Sequence, residues 1–178
     1  MKTTAIARQA VITAAIAGAA ALLAQPASAQ PMDKLLAADS EFSIFTNALR
    51  KSGLWEQIQT RDRMTIFAIS DKAMSDEGST FMLDKLLITK PNQERLFNLM
   101  SFHVLFGTTL NPESIDGEIK LDTAEDSCLA VWRMGTAVRV GPEAVVTGYM
   151  SADNGVIYVI DRLLWQPWDD DRSCAELL

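Results

Sequence analysis

The stretch "NGVIYVIDRLLWQP", Asn154 to Pro167, stands close to the C-terminal end of the 178-residue chain and decides how the rest is read. Asp153-Asn154-Gly155 is a strong hairpin signal, because Asn and Gly take up turn conformations at little steric cost. Val156, Ile157, Val159 and Ile160 follow as a run apolar on both faces, the pattern of a strand covered from both sides. Asp161 ends the run, where a carboxylate can accept backbone N–H groups and pin a loop. The stretch reads as the closing strand of a domain.

Upstream of it, "EIKLDT", "CLAVWRM", "TAVRVG" and "AVVTGYM" are short runs separated by turn residues, with Gly135, Gly141-Pro142 and Asn154-Gly155 as punctuation. They predict a hairpin-rich β region from Gly117 onward. From Asp33 to about Leu105 the apolar residues recur mostly at helical spacing, as in Phe42, Phe45, Ala48 and Leu49. Ser40 is placed to cap that helix and Gly53 to end it, with Arg50 and Lys51 in the last turn. A short helix is expected near Leu54 to Gln59, then a buried strand over Thr65 to Ile69. "FMLDKLLITK" and "NQERLFNLMSFHVL" read as further helices, separated at Pro91-Asn92. The fold class is α+β, helices first and strands last.

Residues 1–29 differ from the rest. Lys2 and Arg8 flank a basic start, Ala10 to Ala24 is an apolar run of 15 residues, and Ala27-Ser28-Ala29 is a small-x-small cleavage site. A transmembrane anchor or an internal core helix is the alternative, but a spanning helix needs roughly 20 apolar residues. The expectation is an export signal cut after Ala29, one domain over residues 30–168, and an acidic tail over 169–178. The product would be secreted or periplasmic, with no membrane anchor. Loss of Lys2 and Arg8 takes the net charge from -7 to -9. That balance disfavours nucleic acid and anionic membranes, which reward clustered Lys and Arg. Two cysteines, Cys128 and Cys174, favour a disulfide in an oxidising compartment, with two unpaired thiols as the alternative.

Three segments then match one family in order and spacing. The opening stretch resembles the second signature of fasciclin-like (FAS1) domains. "MTIFAISDKAM", Met64 to Met74, resembles the first, and "FHVLFG", Phe102 to Gly107, resembles the central element between them. The resemblance covers about Met32 to Pro167 and implies helices packed on a wedge-like β-sandwich. Its structural motif positions fall on Thr65, Phe67, Asp71, His103, Gly107, Asn154, Gly155, Val159 and Asp161. There are departures: Ile69 stands for a usual Pro, Met74 for Phe, Phe102 for Tyr, Phe106 for Pro, and Tyr158 for His. Each keeps an apolar body, and several remove a polar handle.

The chemistry on offer is sparse. His103 is the only histidine. Ser70, Asp71 and Ser101 are triad partners by residue type only, without a nucleophile-elbow pattern. The resemblance implies a structural, hydrogen-bonded histidine and no enzyme. Asp169 to Asp171 and Glu125 to Ser127 lack the spacing of a calcium loop, so no metal is expected, and no phosphate-cradling loop calls for a cofactor. Of the four tryptophans, Trp165 and Trp168 bracket Pro167 just past the last strand and are candidate contact anchors. Trp55 and Trp132 carry less of that signal.

The resemblance therefore implies a bacterial, exported, non-catalytic interaction or adhesion module, meeting an extracellular or periplasmic protein or polysaccharide. The alternative is a carrier of an apolar, carotenoid-like small ligand in a cleft between helices and sheet. Met74, Phe102 and Phe106 would line that cleft.

Overall fold

Two strands that are distant in sequence lie side by side at the centre of the computed structural model, which describes residues 30–76, 93–165 and 173–177. β1 (Met64–Ile69) and β7 (Gly155–Ile160) pair in parallel, in register from Met64 opposite Gly155 to Ile69 opposite Ile160. All six residues of β1 and all but Val159 of β7 are buried. Parallel strands covered on both faces need such continuous apolar runs.

β2 (Val104–Phe106) pairs antiparallel with β1 on one side, and β6 (Ala144–Ala152) with β7 on the other. β5 (Ala137–Val140), β4 (Cys128–Met134) and β3 (Glu118–Asp122) extend the sheet by antiparallel pairing. The order across the seven strands is β2-β1-β7-β6-β5-β4-β3. β6 joins the two halves. Its first residues pair with β5, its later ones with β7, and an irregularity lies between Val146 and Gly148. Such an irregularity bends a strand, and the inner faces of both halves share one core, closing like a wedge. Glu118, Lys120 and Asp122 are exposed on the edge strand β3, which blunts it against pairing with other chains.

The helices cover the β1–β7 half. α1 (Met32–Ala38) buries Met32 and Leu36; α2 (Ser43–Ser52) buries Phe45, Ala48 and Leu49 along one face. α3 (Trp55–Thr60) buries Ile58, and α4 (Asp71–Asp76) follows β1 directly. α5 (Gln93–Ser101) packs against α2 through Leu96, Leu99 and Met100. Gly53 ends α2 in the left-handed region (φ 85°), where glycine avoids the Cβ clash, and its N–H donates to the Arg50 carbonyl.

The α+β reading, with the strand at Thr65–Ile69 and the β run from Gly117, is the architecture observed. Three local readings need correction. Ser40 does not cap α2. It opens a short 3-10 turn, Ser40–Phe42, capped by Asp39, whose carboxylate accepts the Glu41 N–H at 2.9 Å. The helix over "NQERLFNLMSFHVL" stops at Ser101, and Val104–Phe106 is a strand. Its edge position beside β1 gives those three residues partners that their short run could not advertise. The helix expected at Leu54 to Gln59 runs one residue later, Trp55–Thr60. The leader at 1–29, the segment "FMLDKLLITK" with Pro91, Trp168 and the run Asp169 to Asp171 lie outside the described residues.

Cys128 and Cys174 are joined as a disulfide, with Cα atoms 4.6 Å apart. The Cys174 N–H also donates to Asp122 Oδ1 at 2.8 Å. A 3-10 turn, Cys174–Leu177, is thereby tied across β3 and β4.

Candidate functional site

The signature residues first appear as bolts inside the fold. Thr65 is fully buried, and its hydroxyl donates to the Thr108 carbonyl (2.9 Å) while accepting the Leu110 N–H (2.9 Å). Phe67 stacks on Tyr158 with ring centres 5.7 Å apart. Tyr158 itself, standing where the family usually has His, donates its hydroxyl to the Leu110 carbonyl at 2.8 Å. Burial pushes that phenol well above its ordinary pKa, so it stays protonated and keeps the bond.

Asp71 reaches back across the helical layer. Its Oδ1 accepts the Ile44 N–H at 2.9 Å, and its Oδ2 accepts the Ser43 hydroxyl. It therefore supplies the N-terminal cap that α2 lacks locally. Asp71→Ala is expected to lower stability by about 1–2 kcal/mol, the usual cost of removing a helix cap, read as a lower urea midpoint at unchanged slope.

His103 is fully buried and its ring is satisfied at both nitrogens. Nδ1 lies 2.8 Å from the Leu99 carbonyl, and Nε2 accepts the Leu164 N–H at 3.0 Å. This assigns the proton to Nδ1. Burial holds the imidazole pKa down to about 4, only partly offset by the Leu99 carbonyl. Its backbone carbonyl also accepts the Phe67 N–H at 2.9 Å, fastening β1. A ring so placed is neutral and engaged on both sides. It has no free nitrogen with which to take a proton from a substrate.

Asn154 and Gly155 act differently from the turn residues the sequence advertises. The Asn154 side chain accepts the Met32 N–H at 2.9 Å and donates to the Ile58 and Arg61 carbonyls, both at 3.3 Å. Its own carbonyl accepts the Met64 N–H at 2.9 Å. Asn154 thus staples α1, α3 and β1 to the start of β7. Gly155 opens β7 at φ 150°, and a Cβ there would lie 1.9 Å from the Met64 carbonyl oxygen. Asp161 accepts the Val145 N–H at 2.8 Å, closing the far end of the β6–β7 pair. Val159 is half-buried in β7, and Gly107 is exposed just after β2.

What these bolts leave at the surface is a corner built on the closing stretch. Leu164 is buried and held by His103, so Trp165, the next residue, is carried outward on a fixed stub and is 39% exposed. Beside it Arg162 bridges Glu143 (3.3 Å) and Asp161 (3.4 Å). Trp165, Leu163, Arg162, Glu143 and Pro142 line a shallow cavity of about 220 Å³. Trp168, the other expected anchor, is outside the described residues.

The residues expected to line an apolar cleft behave otherwise. Met74 and Phe102 are 0% and 5% exposed within the core, and Phe106 is covered by the Arg61 guanidinium 4.2 Å from its ring centre. Sequence reasoning missed the exposed side chains of Tyr149 and Met134. It also missed Arg133, whose Nε donates to the Ile115 carbonyl at 2.8 Å and whose Nη2 donates to that of Pro112. Among the described residues, no group of three or more His, Cys, Asp or Glu side chains is placed to hold a metal ion. None of the described helices is long and apolar enough to cross a membrane.

Comparison with known proteins agrees with this geometry. Residues 40–167 match the Fasciclin domain family model. The chain is 30% identical over 151 residues to immunogenic protein MPB70 of Mycobacterium bovis, covering 80% of this chain and 75% of that protein. It is 25% identical over 140 residues to protein sll1483 of a Synechocystis species, covering 79% and 76% of the two. A pig protein, transforming growth factor-beta-induced protein ig-h3, is 26% identical over 133 residues, which span 75% of this chain and only 19% of its own length. Among solved structures, a FAS1 domain pair from the insect cell adhesion molecule fasciclin I superposes with a TM-score of 0.66 at 18% identity. The match covers 77% of this chain and 51% of that one. With the ordered signatures, their internal bonding and these matches together, the chain belongs to the fasciclin domain family.

Proposed function

We propose that this chain is an exported, non-catalytic contact module that works in the periplasm or the extracellular matrix. The observation that carries the reading is the division of labour within the signatures. Thr65, Asp71, His103, Asn154 and Asp161 are engaged in holding backbone, while Trp165 is presented outward from a stub they fix. A large aromatic on a rigid support contributes contact area at small entropic cost. The insect relative is named as a cell adhesion molecule, and the leader-like residues 1–29 supply a route out of the cytoplasm.

The test is adhesion. Beads coated with residues 30–178 are expected to be retained on cells of the producing strain several-fold above beads carrying the reduced, unfolded chain, and Trp165→Ala should lower retention. Retention no better than that of the unfolded chain removes the reading. A carrier would instead need an opening at Met74 and Phe102, which the core fills. Native mass spectrometry of the chain from its host should give the bare polypeptide with one disulfide. A mass excess lost on denaturation would replace the contact module with a carrier.

A further inference from the structure

The outer face of the β3–β4–β5 ribbon carries a feature that neither the core nor the Trp165 corner uses. Glu118 pairs with Trp132 across β3 and β4, and Trp132 pairs with Arg139 across β4 and β5. Directly opposed residues on neighbouring strands project from the same face. Leu129 and Val131 point into the core at 1% and 0% exposure, so the intervening Ala130 and Trp132 lie on the opposite side. Trp132 is only part-buried and does not pack against the core.

Among the described residues, the side chains of Glu118, Trp132 and Arg139 have no hydrogen-bond or ion-pair partner. The row therefore presents an aromatic surface with a free indole N–H, a free carboxylate on one flank and a free guanidinium on the other. With strands about 4.8 Å apart, acid and base lie about 10 Å from each other across the indole. Gly117, Glu118, Trp132 and Arg133 line an open cavity of about 390 Å³ at this end. That volume falls within the range of about 300–1,000 Å³ that holds small ligands. Arg133 bonds to the Ile115 and Pro112 carbonyls, which fixes its part of the cavity wall. At the opposite end of the same face, the turn Cys174–Leu177 is tied down over β3 and β4. The face is thus closed at the disulfide and open at Trp132.

We infer that the Glu118–Trp132–Arg139 row is a binding platform for a neutral polysaccharide. Sugar rings offer an apolar C–H face to lie on the indole, and equatorial hydroxyls that accept from Arg139 and the Trp132 N–H and donate to Glu118. A protein partner would bring apolar side chains to a row whose flanks are charged. A polyanionic glycan would meet a chain whose residues 30–178 carry a net charge of -9, the -7 of the full sequence less Lys2 and Arg8. This deepens the contact-module reading and rests on it, by naming the class of partner.

The experiment is affinity electrophoresis of residues 30–178 in native gels containing laminarin, galactomannan or, as the polyanion arm, heparin. Laminarin or galactomannan is expected to retard the wild type. Trp132→Ala should weaken that retardation by about tenfold or more, the scale of losing an aromatic anchor, and Trp132→Phe should keep part of it. Glu56→Ala, on α3, should leave it unchanged. Trp132→Ala must unfold at the wild-type urea concentration, as a residue outside the core should. Indifference of the wild type to both neutral polymers, retardation by heparin alone, or a Trp132→Ala variant retarded like wild type each overturns the platform. Bead retention that survives Trp132→Ala and fails with Trp165→Ala removes the glycan while keeping the module. Beads that never adhere remove the module itself.

Discussion

Gly155→Ala is expected to abolish cooperative folding at 25 °C. The added Cβ would stand 1.9 Å from the Met64 carbonyl oxygen and 2.8 Å from its carbon, both backbone atoms of the central strand β1. It cannot be relieved by a side-chain rotation. The flexible Met32 Cε, 2.7 Å away, is the one neighbour that could yield. At φ 150° an alanine is strained as well. Relief requires β1 to move off β7, which breaks the parallel register from Met64–Gly155 onward and pulls Asn154 from its partners. We expect a cost of about 5 kcal/mol or more, against a total stability of about 5–15 kcal/mol for a domain of this kind. Gly148→Ala is the control, because a Cβ at Gly148 would touch nothing within 4 Å. Urea curves at 25 °C decide it. A Gly155→Ala protein unfolding within a few tenths of a molar of wild type would mean that β1 and β7 are far more compliant than their packing implies.

His103 should make the protein acid-sensitive in a defined window. Its folded pKa is depressed from 6.5 to about 4 by burial. The unfolded state takes up a proton below about pH 6.5 and the folded state does not until about pH 4. Stability from this group is therefore complete above pH 6.5 and is lost as pH falls towards 4, by about 3 kcal/mol in all. Replacing the ring has a larger effect. His103→Ala leaves the Leu99 carbonyl and the Leu164 N–H buried without partners and opens a cavity beside Phe45, for a loss of about 4 kcal/mol. His103→Gln can bond both groups and cannot titrate in this range. The difference between wild-type and His103→Gln urea midpoints should shrink steadily from pH 7 to pH 4. A constant difference would show that burial does not depress the pKa of His103 in the folded protein.

How much of this was legible depended on the distance over which each residue acts. β7 and the Asp153-Asn154 turn could be read from adjacent residues, as could the glycine that ends α2. The roles of Asn154 and Asp71 could not. Asn154 bonds to Met32, 122 positions away, and Asp71 caps a helix that starts 28 positions earlier. No local pattern carries that information. The same limit explains β2, a three-residue strand that exists because β1 is beside it. Trp132 was within reach. The alternation of "CLAVWRM" buries Leu129 and Val131 and puts Trp132 with Ala130 outside. Arg133 at the next inward position disguises the period, because its guanidinium is bonded to carbonyls of the 112–115 segment.

The Cys128–Cys174 bridge sets how the molecule would bear a load. Tension applied between residue 30 and the tail passes along the chain to Cys128, crosses the sulfur atoms and leaves at Cys174. The span between them, a sequence separation of 46 that contains the rest of β4 with β5, β6 and β7, stays outside the force path. A pulled molecule can therefore pay out only the stretch before Cys128, and about 150–165 Å of contour length stays stored until the bridge is reduced. β1 lies in the loaded stretch and β7 in the shielded one, so the parallel ladder between them must break before β1 can be drawn out. If the chain joins surfaces as proposed, the oxidation state of one cysteine pair would decide whether it gives a short, stiff tether or a long, yielding one.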